Sequence, residues 1–150
     1  AMSTTRSYPA KLKRIVDYFS KLDEQTRRTR LIEYADQADK WLPKEEEPIL
    51  IEDLRNDDEC MDEVGIYIVD EGEQISFRLY FGDEVQTLTK AMGVILGKGL
   101  SETTIEQVQE LPSQVVTDII GQRLVRNRSQ TVYYILNRMK SAVKQLERQT

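Results

Sequence analysis

Cys60 is the only cysteine of a 150-residue chain that has no histidine. It is therefore the side chain with the strongest intrinsic claim to nucleophilic chemistry, through its thiolate form. Arg55-Asn56-Asp57-Asp58-Glu59 precede it and Met61-Asp62-Glu63 follow, a polar and acidic setting with no apolar anchor. A lone cysteine is commonly a small core hydrophobe. A cysteine set among charges is instead expected at the surface, where loop residues carry function disproportionately. The neighbouring carboxylates suggest a second chemistry, cation binding or acid–base work. A calcium loop needs alternating oxygen ligands, a central glycine and a terminal glutamate. Asp57, Asp58, Glu59, Asp62 and Glu63 lack that pattern, so no metal is expected. Without histidine there is no serine–histidine or cysteine–histidine couple and no imidazole metal site. One cysteine makes no intramolecular disulfide, zinc cluster or iron–sulfur ligand set.

Periodicity predicts the elements that must position Cys60. A helix begins near Tyr8-Pro9, with proline close to the first turn where its missing N–H costs nothing. Leu12, Ile15, Val16, Phe19 and Leu22 line its apolar face. Asp23 is placed to cap a second helix, with Leu31, Tyr34, Ala35 and Ala38 on its buried side and Pro43 beyond its end. The two are expected to form an antiparallel pair. Glu45-Glu46-Glu47-Pro48 then opens a loop, and Ile49–Leu54 reads as a short strand or extended segment. Val64, Ile66 and Ile68 alternate along one strand, and Ile75, Phe77, Leu79 and Phe81 along the next. Asp70-Glu71-Gly72-Glu73 forms the turn between them. Cys60 thus stands just before a β-hairpin. Val85, Leu88, Met92, Ile95 and Leu96 mark a further helix that Gly97-Lys98-Gly99 is expected to stop. Short helices around Ile105–Val108 and Val115–Ile120 follow. A last helix beginning near Asn127 or Ser129 carries Val132, Ile135, Leu136, Met139, Val143 and Leu146. The order of helices, hairpin and helices predicts an α+β domain with a small antiparallel sheet.

The composition suits one compact domain, 39% hydrophobic and 31% charged. Ala1 before Met2 reads as an expression scar, leaving a single domain over residues 3–150. No apolar run approaches the ~20 residues that span a bilayer, and no secretory signal is visible. A reducing, cytoplasmic setting is the expectation. The net charge of −5 hides segregation: residues 1–30 carry +5, 31–75 carry −13, 76–120 carry −3 and 121–150 carry +6. An acidic belt between basic ends argues against nucleic acid, which requires a contiguous cationic face. It is either a solvated surface or a docking surface for a charged partner.

Two amphipathic helices, an acidic proline-containing loop, one cysteine before a hairpin and helices after it resemble the SufE family over about Leu12 to Lys144. Leu31-Ile32-Glu33-Tyr34-Ala35 resembles that family's second-helix run, and Leu42-Pro43 its Leu-Pro exit. The family places Gly-Cys-x-Ser-Gln-Val before the first hairpin strand. Cys60 and Val64 keep their places, whereas Glu59 replaces the glycine and Asp62-Glu63 replace serine and glutamine. Gly82-Asp83 matches the start of the family's Gly-Asp-Ser-Asp, while Glu84-Val85 does not. Lys90 matches a lysine of the following helix, with Ala91 in place of glycine. Leu124 and Arg128 fit a Leu-x-Pro-Ser-Arg-x-Asn-Gly pattern that Arg126, Gln130 and Thr131 do not.

The resemblance implies a sulfur acceptor for iron–sulfur cluster assembly, an accessory protein rather than a stand-alone enzyme. Cys60 would take persulfide sulfur from a SufS-type cysteine desulfurase and stimulate it, by thiol–persulfide exchange. Pyridoxal phosphate would belong to that partner, with no cofactor on this chain. A downstream iron–sulfur scaffold is a further partner within that scheme; nucleic acid and membrane are not. Asp58, Glu59, Met61, Asp62 and Arg128 are the implied partner-facing residues, with Arg128 near the cysteine loop. Negative charge at Glu59 and Asp62 disfavours a thiolate at Cys60 unless Arg128 or backbone N–H groups offset it. The competing expectation is a non-catalytic module of the same fold that docks a partner through its acidic loop, with Cys60 incidental.

Overall fold

The computed structural model describes residues 8–56 and 62–149. Helix α1 (Ala10–Ser20) starts after Pro9 and buries Leu12, Ile15, Val16 and Phe19, the stripe read from the sequence. Asp23 caps α2 (Glu24–Ala35): its carboxylate accepts the Thr26 N–H at 2.7 Å and satisfies one of the free donors of the first turn. The expected antiparallel pairing is a minor contact. Phe19 and Tyr34 meet with ring centroids 5.9 Å apart, but α2 packs chiefly on α3 (Thr87–Gly99), and α1 packs on α3 and on the helix over residues 114–120 about equally. The reason lies in α3, which is buried along Ala91–Gly97 and so offers apolar surface on several sides. α3 ends at Gly99, within the Gly97-Lys98-Gly99 stop read from the sequence, and the Trp41 ring packs against Gly97, where a Cβ would come to 3.0 Å of it.

A 3₁₀ turn (Ala38–Trp41) leads to the acidic loop, which is tied down rather than free. The Arg78 guanidinium grips Glu47 with two bonds of 3.1 and 2.7 Å, and stands 5.7 Å from the Trp41 ring centroid. Ile49–Leu54 is a true strand. With β1 (Ile49–Arg55), β2 (Val64–Glu71) and β3 (Gln74–Phe81), the sheet is antiparallel in the order β1-β2-β3. Arg55 pairs with Val64 and Val64 with Phe81, so three chain ends lie abreast where the cysteine segment leaves and rejoins the sheet. The central strand β2 buries Val64, Ile66, Ile68 and Val69, whereas the edge strand β1 leaves Ile49, Leu50 and Leu54 exposed.

Beyond α3 come α4 (Ile105–Glu110), opened by a Thr104/Gln107 capping box, then α5 (Gln114–Ile120) and α6 (Gln122–Asn127). The expected last helix is divided. A single turn, α7 (Ser129–Val132), is followed by α8 (Tyr134–Gln149), with Tyr133 between them. One cluster of buried side chains runs from Tyr8 to Leu146 between the sheet and the helices. The architecture is α+β, a three-stranded antiparallel sheet flanked by helices. Among the described residues no helix is long and apolar enough to cross a membrane.

Candidate functional site

The segment that joins β1 to β2 carries the sequence-predicted site. Asp57, Asp58, Glu59, Cys60 and Met61 lie outside the described residues; Asp62 and both strand ends lie within them. Each end is held by its own device.

On the β2 side the device is Asp62. Its Oδ1 accepts the Glu63 N–H at 2.7 Å and its Oδ2 the Glu84 N–H at 2.9 Å, while the Gly82 N–H donates to the Glu63 carbonyl at 2.8 Å. The carboxylate occupies the space a side chain at position 82 would fill: a Cβ there would collide with all three of its terminal atoms. Glycine is required by this close approach, which gives the Gly82-Asp83 pair its physical meaning. The Glu84 and Glu63 amides hold the Asp62 carboxyl below its ordinary range.

At the same junction stands a residue that the sequence reading passed over. Arg138 of α8 is only 2% exposed, yet it carries a guanidinium. Its Nη2 donates to the Asp53 carbonyl of β1 at 2.8 Å and to the Val64 carbonyl of β2 at 2.7 Å. Its Nη1 donates to the Tyr134 hydroxyl at 2.5 Å, and its Nε lies 3.6 Å from the Asp53 carboxylate. A buried charge persists only when paired and hydrogen-bonded, and Arg138 meets that condition by clasping the two strands that flank the cysteine segment. An open polar cleft of about 490 Å³ adjoins it, with Arg55, Ser129, Tyr133 and Asn137 on its walls. The available signal was an arginine at core spacing between Ile135 and Ala142 on an otherwise apolar face.

Arg128, at the α6–α7 junction, is exposed. Its Nη1 donates to the Gln86 side-chain oxygen at 3.4 Å. Gln86 lies two residues beyond Glu84, so Asp62 and Arg128 attach to the same 82–86 turn without an ion pair between them. The structure thus brings Arg128 and the described end of the cysteine segment to one side of the molecule. Among the described residues no group of three or more histidine, cysteine or carboxylate side chains is arranged to hold a metal ion.

This arrangement of sheet and helices has counterparts among solved structures. A hypothetical protein from Thermus thermophilus, solved in solution, superposes with a TM-score of 0.69 at 24% identity, covering 93% of this chain and 97% of that one. The N-terminal part of a NifU-like nitrogen-fixing protein from Brucella abortus superposes with a TM-score of 0.59 at 14% identity, covering 81% and 94%. At these identities the likeness is one of fold. Comparison with curated proteins gives no significant match. The sequence itself matches SufE, the Fe–S metabolism associated domain, over residues 13–143, from α1 through α8 and across the cysteine segment. With most of its length accounted for in this way, the chain belongs to the SufE family and its role lies in iron–sulfur metabolism.

Proposed function

We propose that the chain is a sulfur acceptor, and that Cys60 takes the outer sulfur of a persulfide carried by a cysteine desulfurase. The observation that carries this reading is the SufE match over residues 13–143, which spans the only cysteine of the chain and its position immediately before the hairpin. The reaction is an exchange. The Cys60 thiolate attacks the outer sulfur of the desulfurase persulfide, a new S–S bond forms on Cys60, and the old one breaks. The electron pair leaves with the desulfurase cysteine as its thiolate, so no external oxidant or reductant is required. The partner, with its pyridoxal phosphate, supplies the persulfide.

Rate then depends on the thiolate fraction of Cys60 and on access to it. Glu59 and Asp62 act against the thiolate, but the charge of Asp62 is taken up by two backbone N–H groups. Arg128, on the same side, adds positive potential. Arg138 and Asp62 serve as positioning residues, fixing the strand ends on either side of Cys60.

The test is intact-protein mass spectrometry after incubation with a SufS-type desulfurase and free cysteine. The native chain gains the mass of sulfur, reversibly to thiol reductant, and Cys60→Ser gains none. A native chain that gains nothing from several active desulfurases would instead favour the non-catalytic module that docks through its acidic loop.

A further inference from the structure

A groove of about 680 Å³ runs between α2, the start of α3 and the end of α6. Leu31, Leu88 and Leu124 form its floor, and Ile32 stands beside them 53% exposed. Arg28, Lys90 and Arg128 form a cationic rim, with Asp36 the one carboxylate among the described lining residues. In a chain of net charge −5, none of these three cations is ion-paired among the described residues; Arg128 bonds only the neutral Gln86 amide. An aliphatic floor with unneutralised positive charge around it complements a segment that is both apolar and acidic. The groove is also continuous with the site. Gln86 lines it, and two residues earlier Glu84 holds Asp62.

We propose that this groove is a docking surface for the desulfurase, which inserts an acidic segment bearing aliphatic side chains. The inference rests on the sulfur-acceptor reading and assigns it a second contact, apart from the cysteine segment. Docking strength and sulfur acceptance then reside in different residues, and they separate experimentally.

The experiment is calorimetric titration of a SufS-type desulfurase, with its pyridoxal phosphate and without free cysteine, into the full chain. Arg28→Glu/Lys90→Glu is expected to bind about tenfold more weakly or worse, and Ile32→Ala about fivefold more weakly, in the range for rim charges and buried anchors. Added salt weakens the native complex and narrows the gap to the charge-reversed one. Lys144→Glu/Arg148→Glu, outside the groove and matched in net charge to the groove double variant, stays within about twofold. Arg28→Ala/Lys90→Ala, matched to the native chain by circular dichroism, guards against misfolding and is expected to lose about threefold. Sulfur transfer at saturating chain should survive in all of them, with only the half-saturating concentration raised. Unchanged binding by the charge-reversed chain, or an equal loss in Lys144→Glu/Arg148→Glu, overturns the groove and leaves Cys60 as acceptor. A native chain that neither binds active desulfurases nor gains sulfur from them overturns both.

Discussion

Asp62 ties the chain leaving the cysteine segment to the turn after β3, through two backbone N–H groups that favour its ionised form. Because the folded carboxyl sits below its usual value of 3.8, the clamp is fully formed above that value and is lost as the pH falls through the lower, folded one. In an NMR titration the Asp62 carboxyl is expected to titrate below 3.8, and the Glu84 amide proton shift to follow the same midpoint. A carboxyl midpoint at or above that of a free aspartate, or a Glu84 amide indifferent to it, would show that the clamp does not form in solution. Residue types alone mark Asp62 as one more acid in an acidic run. What separates it from its neighbours is a bond to an amide 22 positions away, which local sequence does not display. Gly82 was legible as part of a pattern, but its cause was not, since the cause is the Asp62 carboxylate itself.

At the scale of elements, the helices and strands were legible because burial imposes its period on the sequence. The α1 stripe, the alternation in β2 and β3, and the Ile135-Met139-Val143 face of α8 all stand where periodicity puts them. The departures come from tertiary contacts. α1 and α2 separate because α2 finds more surface on α3, and α1 on α3 and α5, than either finds on the other. Arg138 occupies a core position for the sake of carbonyls 85 and 74 residues distant in the chain. Replacing it with methionine keeps much of the volume but leaves the Asp53 carboxylate with only Arg55 and removes the donor from the Asp53 and Val64 carbonyls, and is expected to cost about 3–5 kcal/mol. Arg138→Lys should recover only part of this, since an ammonium lacks the fork that reaches both strands. Urea unfolding of the two variants against the native chain measures both effects. A loss under ~1 kcal/mol for methionine would mean that the grip is not a structural determinant.

Over the whole molecule, the segregated charge is partly absorbed by the fold. Within the most acidic stretch, residues 31–75, Glu47 is held by Arg78, Asp53 by Arg138, and Asp62 by amides. Burial pushes the Glu47 carboxyl up, but the Lys44 N–H and the Arg78 guanidinium outweigh it and hold the group below its ordinary range. The stability it lends is present above about pH 4.5 and lost as the pH falls through the lower, folded value. Melting curves of Glu47→Gln and the native chain should therefore differ at neutral pH and converge in acid; a gap that persists unchanged in acid would place the effect outside this ion pair. The clasp of Arg138 on both strand ends has an evolutionary consequence. With the Asp53 and Val64 carbonyls both held by α8, position 138 cannot change alone without leaving those two groups short of a donor. A substitution at position 138 is then tolerated only alongside changes in β1 and β2 that serve the same carbonyls, so the helix and the two strands drift as one unit.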